Sequence, residues 1–195
     1  MSPLSFHNFL HGTEFGQVPG DVQAFAKRCL LDLIGVMISG TGTELGRLIS
    51  SHAAQQFGAG ELSASIMFDG RIVSPAGAAL ANGMVIDSID AHDGYKGAKG
   101  HSGCHVFPTL LAFFEAERIN NGEEFLAGLI VGYEIGARAA VSLHASAPDY
   151  HTSGAWGAVT SAALGSRILK LDAEQTRHER VSHLEQGGLL FTGAA

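Results

Sequence analysis

Apolar residues recur at three- and four-residue spacing through much of the chain, the pattern of helices with one buried face. The clearest case begins at Pro19-Gly-Asp21 and ends at Gly40, and its apolar positions are Ala26, Leu30, Leu33 and Met37. This spacing predicts an amphipathic helix with a wide buried face. A weaker pattern predicts a second helix from Thr43 to Phe57, which Gly58-Ala-Gly60 ends.

A strand pattern occurs in one region. Residues 62–68 and 71–73 flank Asp69-Gly70, a pair that favours a tight hairpin turn. Ser74-Pro75 then predicts a helix that reaches about Asp90, because serine can accept from free backbone N–H groups and proline needs no donor in a first turn. We expect a small hairpin followed by a helix.

The second half of the chain predicts three more helices, one opened by Pro108, one from Glu123 to about Ala145 and one from Gly154 to Lys170. The short turn between the first two predicts antiparallel neighbours. In the second of them a glycine recurs every fourth residue and predicts a groove for close packing, at Gly128, Gly132 and Gly136. The predicted fold class is all-α: a bundle of about six to seven helices with one small β-hairpin, in a single domain over residues 1–195.

Composition and charge exclude several classes of partner. The formal charge is -7 with no basic stripe, which argues against a nucleic-acid partner. Two cysteines cannot form a disulfide framework, and residues 1–9 lack the pattern of a signal peptide, so we expect a cytoplasmic protein. The apolar runs at residues 29–40 and 125–140 contain charges and are short for a bilayer, so we expect core helices and no membrane partner.

Chemistry is expected in residues 87–105, which hold three aspartates, three histidines and two lysines within a sparsely charged chain. The aspartates Asp87, Asp90 and Asp93 lie at a predicted helix end, where the macrodipole disfavours carboxylates, so they need compensating cations. Glycines at every third position from Gly94 to Gly103 predict accessible backbone N–H groups that can wrap an anion. The alternative is a solvated, salt-bridged helix end.

Two histidine patterns leave further options open. His101 and His105 are four residues apart and, with Asp90 or Asp93, could supply three ligands to a metal-dependent hydrolase. Neither an HExxH motif nor paired cysteines support that alternative. His151 lies just before a predicted helix, where the positive end of the dipole favours a neutral imidazole suited to act as a base.

Five motifs in order resemble the MmgE/PrpD superfamily over residues 21–175. They are Ala81-Asn-Gly83, Ile89-Asp-Ala-His-Asp93, Gly100-His-Ser-Gly103 with Pro108, Val131-Gly-Tyr-Glu134 and His151-Thr-Ser-Gly-Ala-Trp-Gly157. The resemblance implies a lyase or epimerase that acts on a di- or tricarboxylate without metal or organic cofactor. It also implies a helical domain joined to a smaller α/β lid, and a homodimer formed through the helical part.

Carried over by position, the resemblance implies that Asp90, His101 and His151 are catalytic and that Asp93 and Lys99 bind substrate. His101 and His151 are then the acid/base candidates, Asp90 orients an imidazole, and Lys99 holds a substrate carboxylate. The family includes 2-methylcitrate dehydratase, cis-aconitate decarboxylase and iminodisuccinate epimerase branches. The motifs Asp-Ala-His-Asp-Gly and Lys-Gly-His look most like those of the iminodisuccinate epimerase branch.

The sequence departs from the family pattern in several places. Gly94 stands where some members have threonine, and Ser102 stands where many have proline. The chain lacks a counterpart of the lid, and residues 176–195 differ from the apolar helix expected there. We therefore expect a truncated N-terminal part of the helical domain. The alternative from another class is a non-catalytic helical fragment that serves in dimerisation.

Overall fold

The computed structural model describes residues 3–147, 149 and 152–177, and helices dominate these ranges. The helices are α1 (Pro3–Gly12), α2 (Gly20–Gly40), α3 (Glu44–Gln56), α4 (Pro75–Asp87), α5 (Gly103–Ala116), α6 (Gly122–Ser146) and α7 (Ser153–Ile168). Residues 173–177 are helical as well. Within these ranges the strands are β1 (Ala64–Ser65) and β2 (Ile72–Val73), which pair antiparallel. The predicted all-α bundle with a small hairpin is confirmed. Helix α1 has no counterpart among the helices predicted from the sequence.

The first predicted helices form at the expected positions because local signals determine their ends. The Thr43 hydroxyl accepts a hydrogen bond from Gly46 N at 2.9 Å and caps α3. Gly40 ends α2 directly against the carbonyl oxygen of Val85 in α4, where a side chain would collide. The Gly40 contact brings the end of α2 close against α4.

The hairpin forms, but its turn is longer than the predicted two residues. Ile66 N donates to Arg71 O at 2.9 Å, which leaves residues 67–70 as a four-residue loop. Phe68 and Gly70 take positive φ angles of 61° and 86° in this loop. Asp69 and Gly70 are therefore only the last two residues of the loop. The Asp69 carboxylate pairs with the guanidinium of Arg71 just after it.

Helix α5 begins at Gly103, five residues before the predicted start at Pro108. The cause is a side chain from an earlier loop, because Asp93 Oδ2 accepts from Ser102 N and Gly103 N, each at 3.3 Å. Pro108 lies inside the helix and offers no N–H to the Cys104 carbonyl, whose oxygen lies against Gly83 of α4. The preceding helix α4 ends at Asp87, three residues earlier than predicted.

Helices α5 and α6 run antiparallel, as their short connection predicted. The three predicted glycines of α6 meet side chains of α5 and of the residue before it, which are also four residues apart: Gly128 faces Leu110, Gly132 faces Val106 and Gly136 faces Ser102. The missing Cβ atoms bring the helices close together, which confirms the predicted packing role. Helix α7 packs on the same assembly, with Gly157 against the His105 ring and Gly165 against Phe113.

Helix α6 lies in the core of this arrangement. Length and composition alone would let its 25 residues cross a membrane, but 44% of its most apolar stretch is buried against the rest of the fold. Its buried residues include Leu129, Val131 and Ile135. These residues place one face of α6 in the core, and the absence of a membrane partner remains a prediction.

Candidate functional site

The polar segment predicted to carry chemistry is the connection between α4 and α5. It folds back on itself, and Tyr95 N donates to Gly100 O at 3.1 Å. Asp90 and Lys99 take positive φ angles of 48° and 51°, which are uncommon outside glycine. Gly100 lies against Ser153 and Gly103 against Asp93, so these two glycines make room for close contacts rather than for a bound anion.

His101 is held by three contacts. Its backbone N donates to Ser153 Oγ of α7 at 3.1 Å, and its Nδ1 contacts the carbonyl oxygen of Asp93. Its Nε2 lies 3.1 Å from Asp90 Oδ1. Both ring nitrogens therefore face oxygen atoms of neighbouring aspartates. The structure thus brings two of the predicted catalytic residues, Asp90 and His101, into direct contact.

A second imidazole lies beneath the first. The His92 and His101 ring centroids are 4.2 Å apart with an interplanar angle of 39°. The His92 side chain is completely buried, and its Nε2 lies 3.5 Å from Asp87 Oδ1. Burial, helped by the neighbouring His101, lowers the pKa of His92, which favours a neutral ring.

Asp93 is placed as a structural carboxylate. One oxygen accepts from the backbone at the start of α5, and the side chain lies beside the hydroxyl of Tyr133. Burial raises the pKa of Tyr133, and the Asp93 carboxylate raises it further. Asp93 therefore supports the start of α5 through one oxygen, and its predicted contact with substrate remains a prediction.

The other predicted residues are less well defined. Lys99 is exposed and does not line the cavity described below. His151 lies outside the described residues, but the next residues along the chain, Thr152, Ser153 and Gly154, line that cavity. The roles assigned to Lys99 and His151 remain predictions.

A cavity of about 700 Å³ opens beside His101 between α4, α5 and the start of α7. Its polar lining residues are Asp87, His101, Cys104, His105, Thr109, Thr152, Ser153 and Ser161. Its apolar lining residues include Pro75, Ala76, Ala79, Leu80, Met84, Pro108, Ala112 and Phe113. A cavity of this size with a few polar groups is typical of a small-molecule site.

His105 is set into the cavity wall beside α7. Its ring packs edge-on against Trp156 with a centroid distance of 5.9 Å, and Gly157 leaves room for it. Its Nε2 is buried and has no hydrogen-bond partner among the described residues. Burial lowers the pKa of His105 to about 4, so this ring is neutral at physiological pH.

The possible metal ligands in the structure differ from the set predicted from the sequence. The ligand atoms of Asp90, His92 and His101 lie within 4.8 Å of one another, so the second histidine of this group is His92 and not the predicted His105. Asp87, His92 and Cys104 form a second group. Burial raises the pKa of the Cys104 thiol well above its ordinary value, so the thiolate is strongly disfavoured there.

Sequence reasoning left two residues of this site without a role. His92 is part of the Asp-Ala-His-Asp motif, and its position between two aspartates was the available signal. Ser153 reaches His101 across 52 residues of chain, and only its place in the His-Thr-Ser-Gly motif hinted at a function.

Comparison with known proteins places these motifs in one family. The model of the MmgE/PrpD N-terminal domain matches residues 5–191. The chain is 28% identical to human cis-aconitate decarboxylase over 198 residues, covering 98% of this chain and 40% of that protein. It is 25% identical over 187 residues to the cis-aconitate decarboxylase-like protein oryM of Aspergillus oryzae (strain ATCC 42149 / RIB 40), covering 89% of this chain and 38% of that protein. The chain thus spans about two fifths of the length of these curated relatives.

Proposed function

This chain belongs to the MmgE/PrpD family, and on that premise we propose that it carries acid/base residues of a lyase or epimerase acting on a di- or tricarboxylate. The observation that carries the proposal is the Asp90–His101 pair, 3.1 Å apart, with His101 in the wall of a 700 Å³ cavity. A positioned imidazole with a carboxylate at one nitrogen is suited to hold and transfer a proton.

The three candidate reactions share one step, in which a proton is added to or removed from a carbon of the substrate. In a decarboxylation, the bond between carbon and the departing carboxylate breaks, carbon dioxide leaves, and the electron pair stays on carbon. His101 then donates its Nε2 proton to that carbon, and Asp90 stabilises the imidazolium before the transfer. In an epimerisation the same nitrogen, once deprotonated, takes the proton from the carbon next to a carboxylate, and a second acid returns a proton to the opposite face of that carbon. In a dehydration it takes that proton, the electron pair of the broken C–H bond forms the double bond, and the neighbouring hydroxyl group takes a proton and leaves as water.

The start of α7 supports binding of an anion. Thr152, Ser153 and Gly154 line the cavity at the first turn of this 16-residue helix, where the dipole is positive. Thr152, the residue before the helix, makes no side-chain cap hydrogen bond. A substrate carboxylate at this turn would lie on the side of the cavity that carries His101. Lys99 remains a proposed contact for a second carboxylate.

Decarboxylation of a cis-aconitate-like acid is the leading form of the proposal because the curated relatives are named as cis-aconitate decarboxylases or similar proteins. Epimerisation and dehydration remain alternative forms that use the same residues. In all three forms the acid/base groups are side chains of the protein, and no cofactor takes part.

Proton NMR of the purified chain in deuterated water tests the proposal. The chain is incubated with cis-aconitate, a citrate-like acid or iminodisuccinate, and deuterium incorporation is followed together with product. We expect exchange or turnover that His101→Gln reduces by roughly 100-fold or more. The matched control is His52→Gln, which changes an exposed histidine of α3. Equal rates in wild type and His101→Gln, or a folded wild type without exchange, would contradict the proposal.

Self-association is a second candidate role, favoured by an apolar surface on α2 and α3. Phe25, Leu31, Ile38 and Leu48 are 52–71% exposed. Large apolar side chains left exposed on neighbouring positions of a fold can mark interaction sites. A dimer in size-exclusion chromatography with light scattering, converted to monomer by Leu31→Glu, would support it, and a wild-type monomer at high concentration would exclude it.

A further inference from the structure

We propose that Asp90, His92 and His101 form a binding site for a divalent transition-metal ion of the zinc type. One ligand atom from each residue lies within 4.8 Å of the other two. Two imidazoles and a carboxylate suit zinc and its neighbours, whereas Mg²⁺ and Ca²⁺ prefer oxygen ligands. Three protein ligands would leave a further position open.

The orientation of His101 is the first argument. Its Nδ1 contacts the Asp93 carbonyl, which fixes the ring and directs Nε2 towards Asp90. Histidine ligands of metals commonly donate their other ring N–H to such a carbonyl. The separation of 3.1 Å between Nε2 and Asp90 Oδ1 is close to the roughly 3.3 Å between neighbouring ligand atoms of a tetrahedral zinc ion.

His92 supplies an independent argument. Its side chain is fully buried, and in the part of the chain that is described neither ring nitrogen has a hydrogen-bond partner. A buried polar atom without a partner destabilises the fold, and coordination would satisfy one of these nitrogens. Stacking on His101 already holds the ring next to the other ligands, so little reorganisation is needed.

The neighbouring group of Asp87, His92 and Cys104 is a weaker candidate. A zinc-bound cysteine must be a thiolate, and the buried thiol of Cys104 strongly resists losing its proton. Asp90, in contrast, has a side chain that is 80% exposed, so it can turn towards an ion at little cost. The Asp90 group is therefore the preferred one.

The ion would regulate the site rather than serve its chemistry. An ion on Nε2 of His101 occupies the atom that transfers the proton in the proposed function, so zinc should inhibit turnover. This consequence depends on the proposed function, whereas binding itself does not.

Isothermal titration of metal-free chain with ZnCl₂ at pH 7.5 tests the site directly. In a chain that carries His7→Gln and His11→Gln, which removes a second histidine pair, we expect binding at one ion per chain, weakened at least 10-fold by Asp90→Asn and by His92→Phe, with no comparable binding of Mg²⁺. Circular dichroism checks that each variant is folded. If His92→Phe fails to fold, NMR of the wild type replaces it, with zinc expected to shift the ring signals of His92 and His101 first.

The chain offers a competing site that serves as a control. His7 and His11 are four residues apart on α1 with ring centroids 4.3 Å apart, an arrangement that can also attract zinc. The double variant His7→Gln/His11→Gln should retain the proposed binding. Loss of all zinc binding in that variant, or full binding in folded Asp90→Asn and His92→Phe, would overturn the proposal. Zinc binding without inhibition of an active chain would instead contradict the role of His101 in the proposed function.

Discussion

Gly132 of α6 lies directly against Val106 of α5, where an added Cβ would come within 2.6 Å of Val106 Cγ1. Both residues are in the core, and Leu164 of α7 closes the contact from the other side at 3.1 Å. The position therefore joins three helices, and a single methyl group at Gly132 has no free space. Close packing here outweighs the helix propensity that glycine lacks.

We predict that Gly132→Ala lowers the free energy of unfolding by about 1–3 kcal/mol, because overpacking forces the helices apart. Gly35→Ala is the matched control, since Gly35 also lies within a helix but has nothing within 4 Å of an added Cβ. That change should stabilise the chain by up to about 1 kcal/mol. Urea unfolding of both variants measures the difference, and equal effects would refute this account of the packing.

We expect substitution of the buried Arg167 to destabilise the chain more than substitution of the exposed Arg138. Its buried guanidinium bonds to Glu124, with Nε to Oε1 at 2.9 Å, and to the carbonyls of Leu10 and Thr13. Arg167→Met leaves these acceptors without their donor and should cost about 2–4 kcal/mol. Arg138→Met removes an exposed pair with Glu134 and should cost less than about 1 kcal/mol. Thermal unfolding of the two variants side by side tests the contrast.

Local patterns explain which parts of the fold were predictable. Helix α2 and the cap of α3 follow from neighbouring residues, so their spacing in the sequence was sufficient. The start of α5 was predicted wrongly because the backbone N–H groups of Ser102 and Gly103 donate to the Asp93 carboxylate. No local pattern in the sequence marks Asp93 as a helix cap. Boundaries fail where a distant side chain supplies the hydrogen bonds.

The site shows the same division. The motif around Asp90 and His101 was visible in the sequence because its residues are close together along the chain. The stacking of His92 on His101 and the bond from Ser153 depend on how α4, α5 and α7 meet. The role of Asp93 at the start of α5 also appears only in the fold, since the sequence does not show which donors surround a carboxylate.

His105 predicts a dependence of stability on pH. Burial, the largest cause, lowers its pKa from 6.5 to about 4, with Asp87 and Asp93 opposing the shift and His92 and His101 adding to it. The folded state then binds fewer protons than the unfolded state between these values. The stabilisation is therefore complete above about pH 6.5 and is lost as the pH falls towards 4, and it amounts to at most roughly 3 kcal/mol.

His105→Gln removes this titration, so its unfolding free energy should fall less between pH 7 and pH 4.5 than that of the wild type. His52→Gln, in an exposed histidine, should keep the wild-type slope. Urea unfolding across the pH range provides the comparison. A wild-type slope in His105→Gln would mean that other groups account for the loss of stability in acid.

The contact between Asp90 and His101 predicts a separation of activity from stability. The Asp90 side chain is 80% exposed, so Asp90→Asn should change the unfolding free energy by less than about 1 kcal/mol. The same change removes the negative charge beside Nε2 and should slow deuterium exchange into the substrate by roughly 10- to 100-fold, with a shifted pH profile. Asp21→Asn, an exposed aspartate in the first turn of α2, should leave exchange unchanged. An unchanged rate and pH profile in Asp90→Asn would show that this carboxylate does not tune His101, because a tuning role requires both to move.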